Sequence, residues 1–359
     1  MNQILNIMKI NSILLFLIIM IIISTFTSCK KDEPHIEVTE FKNALFIINE
    51  GNFTTGNSSL TYYNRETSET IQNVFFRKNN APLGDVAYSI SIDNESIYLV
   101  VNNSHTIYKT DKNTGIYQGK IDNLTSPRYL LKVNDSIAFV SDLYENNITM
   151  INTKKMSVSN KLDIGRTYQN LIKVGKQIFI TNWSAFNKDK ENNMLMIIDT
   201  ESMQLTDSIQ IGTEPNSIVK DKNDNLWILC SGGFMNEQKP SLWKIDPVNK
   251  QILNKIEFSD ITTSPTNLCI NPAGDSLYYL NRDVYKMSIT ESSIPQNFFV
   301  KQEENINFYS LAISPENQIF IGDANDYNRN GEIYRYSSGG NLIYQFEAGI
   351  IPGNMAFMD

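Results

Sequence analysis

The sequence predicts an all-β chain folded as a seven-bladed β-propeller with four-stranded blades. Three observations predict it. One short apolar strand recurs seven times along the chain. A second strand follows each copy and ends in a polar turn, and the C-terminal residues supply a strand that the first copy lacks. Self-similarity at a period of about 40–45 residues is the mark of a propeller.

The recurring strand reads Leu45-Phe-Ile-Ile-Asn49, Ile97-Tyr-Leu-Val-Val101, Ile137-Ala-Phe-Val-Ser141 and Ile178-Phe-Ile-Thr-Asn182. It continues as Leu226-Trp-Ile-Leu-Cys230, Leu277-Tyr-Tyr-Leu-Asn281 and Ile319-Phe-Ile-Gly-Asp323. The following strand is seen at Ser59 to Tyr63, Thr106 to Lys109, Ile148 to Asn152, Leu195 to Asp199, Leu242 to Asp246 and Glu332 to Tyr336. Turn residues such as Asn113-Thr-Gly115 and Ser338-Gly-Gly340 come next. A polar fourth strand, as in Gln118 to Ile121, makes the outer edge. An apolar strand also precedes six copies, opening at Tyr88, Arg128, Gln169, Asn216, Thr266 and Tyr309. The first copy has none. Pro352-Gly-Asn-Met-Ala-Phe357 is its expected replacement, so the C-terminal strand should close blade one from inside. Six or eight blades, or paired sandwiches, are the competing architectures.

The N-terminus is a targeting segment. Ile13 to Ile23 is an apolar run, too short for a comfortable membrane span of roughly 20 residues. An uncleaved anchor helix is the alternative. Thr25-Phe-Thr-Ser28 leads to Cys29, and the pattern resembles a bacterial lipobox with Cys29 as the acylated residue. Lys30-Lys-Asp-Glu33 resembles the charged tag that sends Bacteroidota lipoproteins to the outer cell surface. The expected organisation is a signal peptide over 1–28, an anchor and flexible tether over 29–42, and the propeller over 43–359. Cys230 and Cys269 lie in apolar strands and read as buried free thiols, although export would also permit a disulfide.

Hydrophobic residues make up 41% and charged residues 19%, which excludes a disordered chain. A formal net charge of −8 argues against nucleic acid as a partner. The only histidines are His35 and His105, so a His-based triad or metal site is not expected. Asp326, Asn328 and Asn330 precede Gly331 like the first half of a calcium loop, but Ser337 stands where a bidentate Glu belongs. Calcium is therefore a candidate ion against the simpler reading of a polar turn; no cofactor is required.

Loops after the recurring strand and residues opening the inner strand share one face of a propeller. On that face the loops offer Asn52, Phe53, Tyr144, Trp183, Phe186, Phe234, Asn236, Arg282 and Tyr327. The strand openings add Tyr88, Arg128, Gln169, Asn216 and Tyr309. Aromatics and amides on a rigid scaffold suit a broad, polar, partly planar ligand. Any one of these aromatics could equally pack under its own loop.

Asn49-Glu-Gly-Asn-Phe53, Ser58-Ser-Leu-Thr-Tyr-Tyr63, Asp323-Ala-Asn-Asp-Tyr327 and Gly349-Ile-Ile-Pro-Gly-Asn-Met-Ala-Phe357 resemble a group of YncE-like propeller lipoproteins of Bacteroidota. The resemblance implies a non-enzymatic surface lipoprotein of the outer membrane. It implies capture of cobalamin (vitamin B12) and delivery to a TonB-dependent transporter. A propeller binding a glycan, another metal chelate or a partner protein is the alternative. A propeller lyase or lactonase is a third, and would need metal ligands along the channel.

Overall fold

A strand covered on both faces must be apolar at consecutive positions, and the recurring strand is. In the computed structural model, which describes residues 40–183 and 191–359, it forms the second strand of each blade: Ala44–Asn49, Ser96–Val101, Ile137–Asp142, Gln177–Thr181, Leu226–Cys230, Ser276–Asn281 and Ile319–Asp323. Leu45, Phe46, Ile47 and Ile48 are all buried. Outer strands such as Ser157–Asp163 and Gln204–Gln210 are almost wholly exposed, which explains their polar composition.

Seven antiparallel sheets are present among the described residues. The inner strands are Ala87–Ile92, Pro127–Lys132, Leu171–Val174, Pro215–Lys220, Thr266–Ile270 and Phe308–Ile313 in blades two to seven. Blade one takes its inner strand from Pro352–Met358, which pairs antiparallel with Ala44–Asn49. The expected closure of the ring is present. Six blades have four strands. Blade six has three, and its fourth is reduced to a single bridge between Val284 and Val300.

The core is a series of layers between neighbouring blades. Phe139, Ile148 and Met150 of blade three pack on Ile178, Ile180 and Met196 of blade four. At the closing seam Leu45, Ile47 and Tyr63 meet Phe320, Ile333 and Phe346 of blade seven. Tyr63 and Phe346 stack with centroids 4.1 Å apart. Each such side chain contributes about 1.5–3 kcal/mol on burial. These layers hold the ring and leave the central channel free to be polar.

Two local features differ from expectation. Phe41 was assigned to the tether, but it is buried against Phe46 and Tyr62, so the packed chain already includes it. A short helix, Val74–Asn79, crosses from blade one to blade two and buries Val74 and Phe75. Asn79 accepts the backbone N–H of Tyr117, tying this helix to the outer strand of blade two. Cys230 and Cys269 are both free thiols. The lipidation expected at Cys29 lies outside the described residues.

Candidate functional site

Six of the seven described inner strands carry an irregularity where they start, and only Leu171–Val174 of blade four pairs in unbroken register. In blade two Ala87 pairs with Val101 and Ser89 with Val100, leaving Tyr88 as an extra residue. In the same way Asn216 is extra in blade five, Tyr309 in blade seven and Gly353 in the closing strand. Blades three and six slip between Pro127 and Leu130 and between Thr266 and Cys269, releasing Arg128-Tyr129 and Asn267-Leu268. A bulge frees one residue from the ladder and re-aims its side chain. Repeated around a ring, it makes a circle of released side chains at one mouth of the channel.

Polar atoms in that circle also lock blade to blade. Ser89 Oγ donates to the carbonyl of Arg128, and Ser141 Oγ to that of Gln169. Asn170 Nδ2 donates to the carbonyl of Asn216, and Asn267 Nδ2 to that of Tyr309. Ser310 Oγ donates to the carbonyl of Pro352 and completes the belt at the seam.

Above the belt lies an aromatic and charged cluster. The Arg128 guanidinium stacks on the Tyr88 ring at 3.4 Å and lies 5.6 Å from the Trp183 ring. Gln169 bridges the two partners: its Oε1 accepts from Arg128 Nε at 3.3 Å and its Nε2 donates to Tyr88 Oη at 2.8 Å. Tyr129 meets Tyr88 edge-on. Across the mouth, Tyr309 meets Tyr327 edge-on at 5.9 Å and Trp183 lies 6.1 Å from Phe234.

Glu50 is the acid of this mouth. Its backbone N–H is bound by the carbonyl of Ile351, and Tyr309 Oη donates to Oε1 at 3.1 Å. Gly353 leaves the space for it: a Cβ there would fall 2.3 Å from Oε1. Burial raises the Glu50 carboxyl to about 7, against the lowering effects of Arg128 and of the Tyr309 hydrogen bond. Burial and the neighbouring Glu50 hold the Tyr309 phenol well above its ordinary range. The Tyr309 hydroxyl therefore stays protonated and donates to Glu50. The cavity has a volume of about 670 Å³ and is walled by Tyr88, Tyr129, Trp183, Asn216, Phe234 and Tyr309, among others. That is within the usual size of a small-molecule site, and its walls mix aromatic faces with amides.

Residues 43–348 match the family model described as a domain of unknown function, DUF5074. The chain belongs to the DUF5074 family. No curated protein matches it. Among solved structures, a quinonprotein alcohol dehydrogenase-like protein from Bacteroides thetaiotaomicron is similar with a TM-score of 0.70 at 16% identity, covering 89% of this chain and 79% of that one. A hypothetical selenium-binding protein from Sulfolobus tokodaii is similar with a TM-score of 0.68 at 10% identity, covering 88% and 93%. A protein from Lactobacillus plantarum is similar with a TM-score of 0.65 at 9% identity, covering 89% and 100%. At these identities the likeness shows the propeller fold alone.

In this DUF5074 chain the expected site residues separate into two groups. Tyr88, Gln169, Trp183, Asn216, Phe234, Tyr309 and Tyr327 line the cavity, and Arg128 packs on two of them. Asn52 stands beside it, donating from Nδ2 to the carbonyl of Tyr327 and so joining the loops of blades one and seven. Phe53, Tyr144, Asn236 and Arg282 are exposed outside the lining, with Phe53 70% accessible. Phe186 lies outside the described residues.

The candidate calcium loop is satisfied from within. Asp326 Oδ1 accepts the backbone N–H groups of Asn328 and Arg329, and Oδ2 accepts from Arg329 Nε. Asn330 turns away and donates to Glu347. A cation would have to displace Arg329. Among the described residues no group of three His, Cys, Asp or Glu is placed to hold a metal.

Sequence reasoning missed Glu50, Tyr129, Asn170 and Asn354 of the lining. Glu50 had a signal, since it precedes a glycine in the loop after the first recurring strand. Gly51 takes a left-handed φ of +73° that turns the chain back toward the channel.

Proposed function

We propose that this DUF5074 propeller is a non-enzymatic capture protein that seats its ligand in the channel mouth, and that the ligand is a corrinoid. The observation that carries the proposal is the bulged circle. Blades two, three, five, six and seven release residues at this mouth, and Tyr88, Arg128, Tyr129, Asn216, Asn267 and Tyr309 among them are aromatic, amide or guanidinium. A corrinoid offers a flat ring edged with amides. Tyr and Trp faces cover such a ring, and Asn and Gln side chains pair with its periphery.

The delivery role rests on different residues. Cys29 as a lipid anchor, the charged tag after it, and the likeness of Asn49 to Phe53 to surface propeller lipoproteins support display on the outer membrane. The proposed partner there is a TonB-dependent transporter that receives the ligand.

Calorimetric titration of residues 40–359, which form one compact unit, with cyanocobalamin tests the ligand. Saturable heat at micromolar concentrations supports it. No heat there overturns the corrinoid assignment. Recovery of the lipidated protein from outer membranes tests the partner: a co-purifying TonB-dependent transporter supports delivery, and its absence removes that part.

A further inference from the structure

Arg128, like Arg335 and Lys286, stacks on an aromatic ring without an ion pair among the described residues. Lys132, Lys161, Lys220 and Lys250 each sit in an ion pair with a carboxylate 2.8 Å away or less. Among the described residues no carboxylate lies within ion-pair distance of Arg128. Its single described protein hydrogen bond runs from Nε to Gln169. One face of the guanidinium is covered by Tyr88. The terminal nitrogens therefore carry N–H donors with no described protein acceptor, on a plane that stacking and Gln169 hold fixed.

A fixed guanidinium edge is built for two parallel hydrogen bonds to an oxyanion. It stands half-buried beside the cavity, where partial desolvation strengthens such a pair. Glu50 is the acid nearest in effect, and its lowering by Arg128 shows that the two fields overlap. The titratable groups coupled to Glu50 are Arg128, Tyr309 and Tyr129, which come from the inner strands of blades three and seven.

We propose that Arg128 anchors an oxyanion carried by the ligand of the channel mouth, a carboxylate, sulfonate or phosphodiester. The proposal rests on the channel mouth being the ligand site, but not on the ligand being a corrinoid. An anion seated there favours the protonated form of Glu50. Binding then takes up a proton, and affinity falls as pH rises through about 7.

The test uses two probes of one shape, naphthalene-1-sulfonate and the uncharged naphthalene-1-sulfonamide, read by fluorescence of the full chain. Trp183 lies beside the anchor and reports occupancy. The sulfonate should bind at least about tenfold more tightly than the sulfonamide, the worth of one charge-assisted hydrogen bond. Arg128→Met should abolish that preference, bringing the affinities for the two probes together. Arg128→Lys keeps the charge without the planar edge and should retain only part of it. If either variant fails to fold, the pH series on the unmodified protein decides, because only the sulfonate should weaken between about pH 6 and pH 8. Equal affinities for the two probes, a preference that survives Arg128→Met, or no binding of either overturns the inference. Cyanocobalamin titrated in parallel separates the two readings. A sulfonate preference without cobalamin binding removes the corrinoid and keeps the anchor. Cobalamin binding without a sulfonate preference does the reverse.

Discussion

Tyr309 Oη donates a 3.1 Å hydrogen bond to Oε1 of Glu50 across a separation of 259 residues. Tyr309 is the bulged residue of blade seven and Glu50 follows the second strand of blade one. The contact spans the seam where the ring closes. It exists only because Pro352–Met358 brings the chain's end back to its beginning.

Glu50 makes stability depend on pH. Its folded carboxyl titrates near 7, above its ordinary value of 4.5, so the folded state binds the proton more tightly. That contribution is fully present below about 4.5 and is lost as pH rises through about 7. Glu50→Gln removes the titration. Calorimetric melting should show the variant gaining on the parent between about pH 5 and pH 8, whereas a constant difference across that range would refute the assignment.

Arg65 holds the end of the closing strand. Its side chain is 4% exposed, donates to the carbonyls of Asn43 and Met358, and pairs with Glu316 and Asp359. Both carboxylates are largely exposed, so water screens the pairs. Arg65→Met should cost about 2 kcal/mol, less than the roughly 3–5 of a fully buried pair. Urea unfolding should show a lower midpoint with an unchanged slope.

Gly331 has no room for a side chain. A Cβ there would lie 2.2 Å from the carbonyl of Asp323 and 2.6 Å from Cδ of Pro352. Backbone must move to admit it. Gly331→Ala should cost about 1–3 kcal/mol and loosen the closing strand first. Proteolysis that attacks the C-terminus of the variant earlier than that of the parent would bear this out.

The two cysteines of the propeller should react slowly in the native state, Cys230 because it is buried and Cys269, half-buried in the cavity wall, because its thiol stays protonated. Burial pushes the Cys269 thiol up to about 12, and Cys230 is driven further in the same direction. Residues 40–359 should react with Ellman's reagent far more slowly when native than when unfolded, and should yield two thiols once unfolded. A fast native reaction at either would contradict the packing.

Much of this fold can be read from residues because the second strand of each blade is buried on both faces. Leu45 to Ile48 has to be apolar throughout, and so do its six counterparts. The fourth strand of blade six was not legible: around Val300 one bridge replaces a ladder, and no hydrophobic alternation marks it. For the site, position along the chain points to Tyr88, Arg128, Asn216 and Tyr309 at the openings of inner strands and to Gln169 just before one. The bulges that turn such residues inward are backbone geometry, which composition does not encode. Glu50 was passed over because its significance comes from Tyr309 and Arg128, neither of them near it in sequence. Phe53 and Tyr144 share the face but stand outside the cavity lining.

The central claim is that the ligand sits in the circle of bulged residues. Hydrogen exchange of the protein with and without saturating cyanocobalamin tests it most directly. The claim predicts slowed exchange at the openings of the inner strands, around Tyr88, Arg128, Asn216, Tyr309 and Gly353, together with the Glu50 loop. Protection confined to the outer strands, or none despite measured binding, would contradict it.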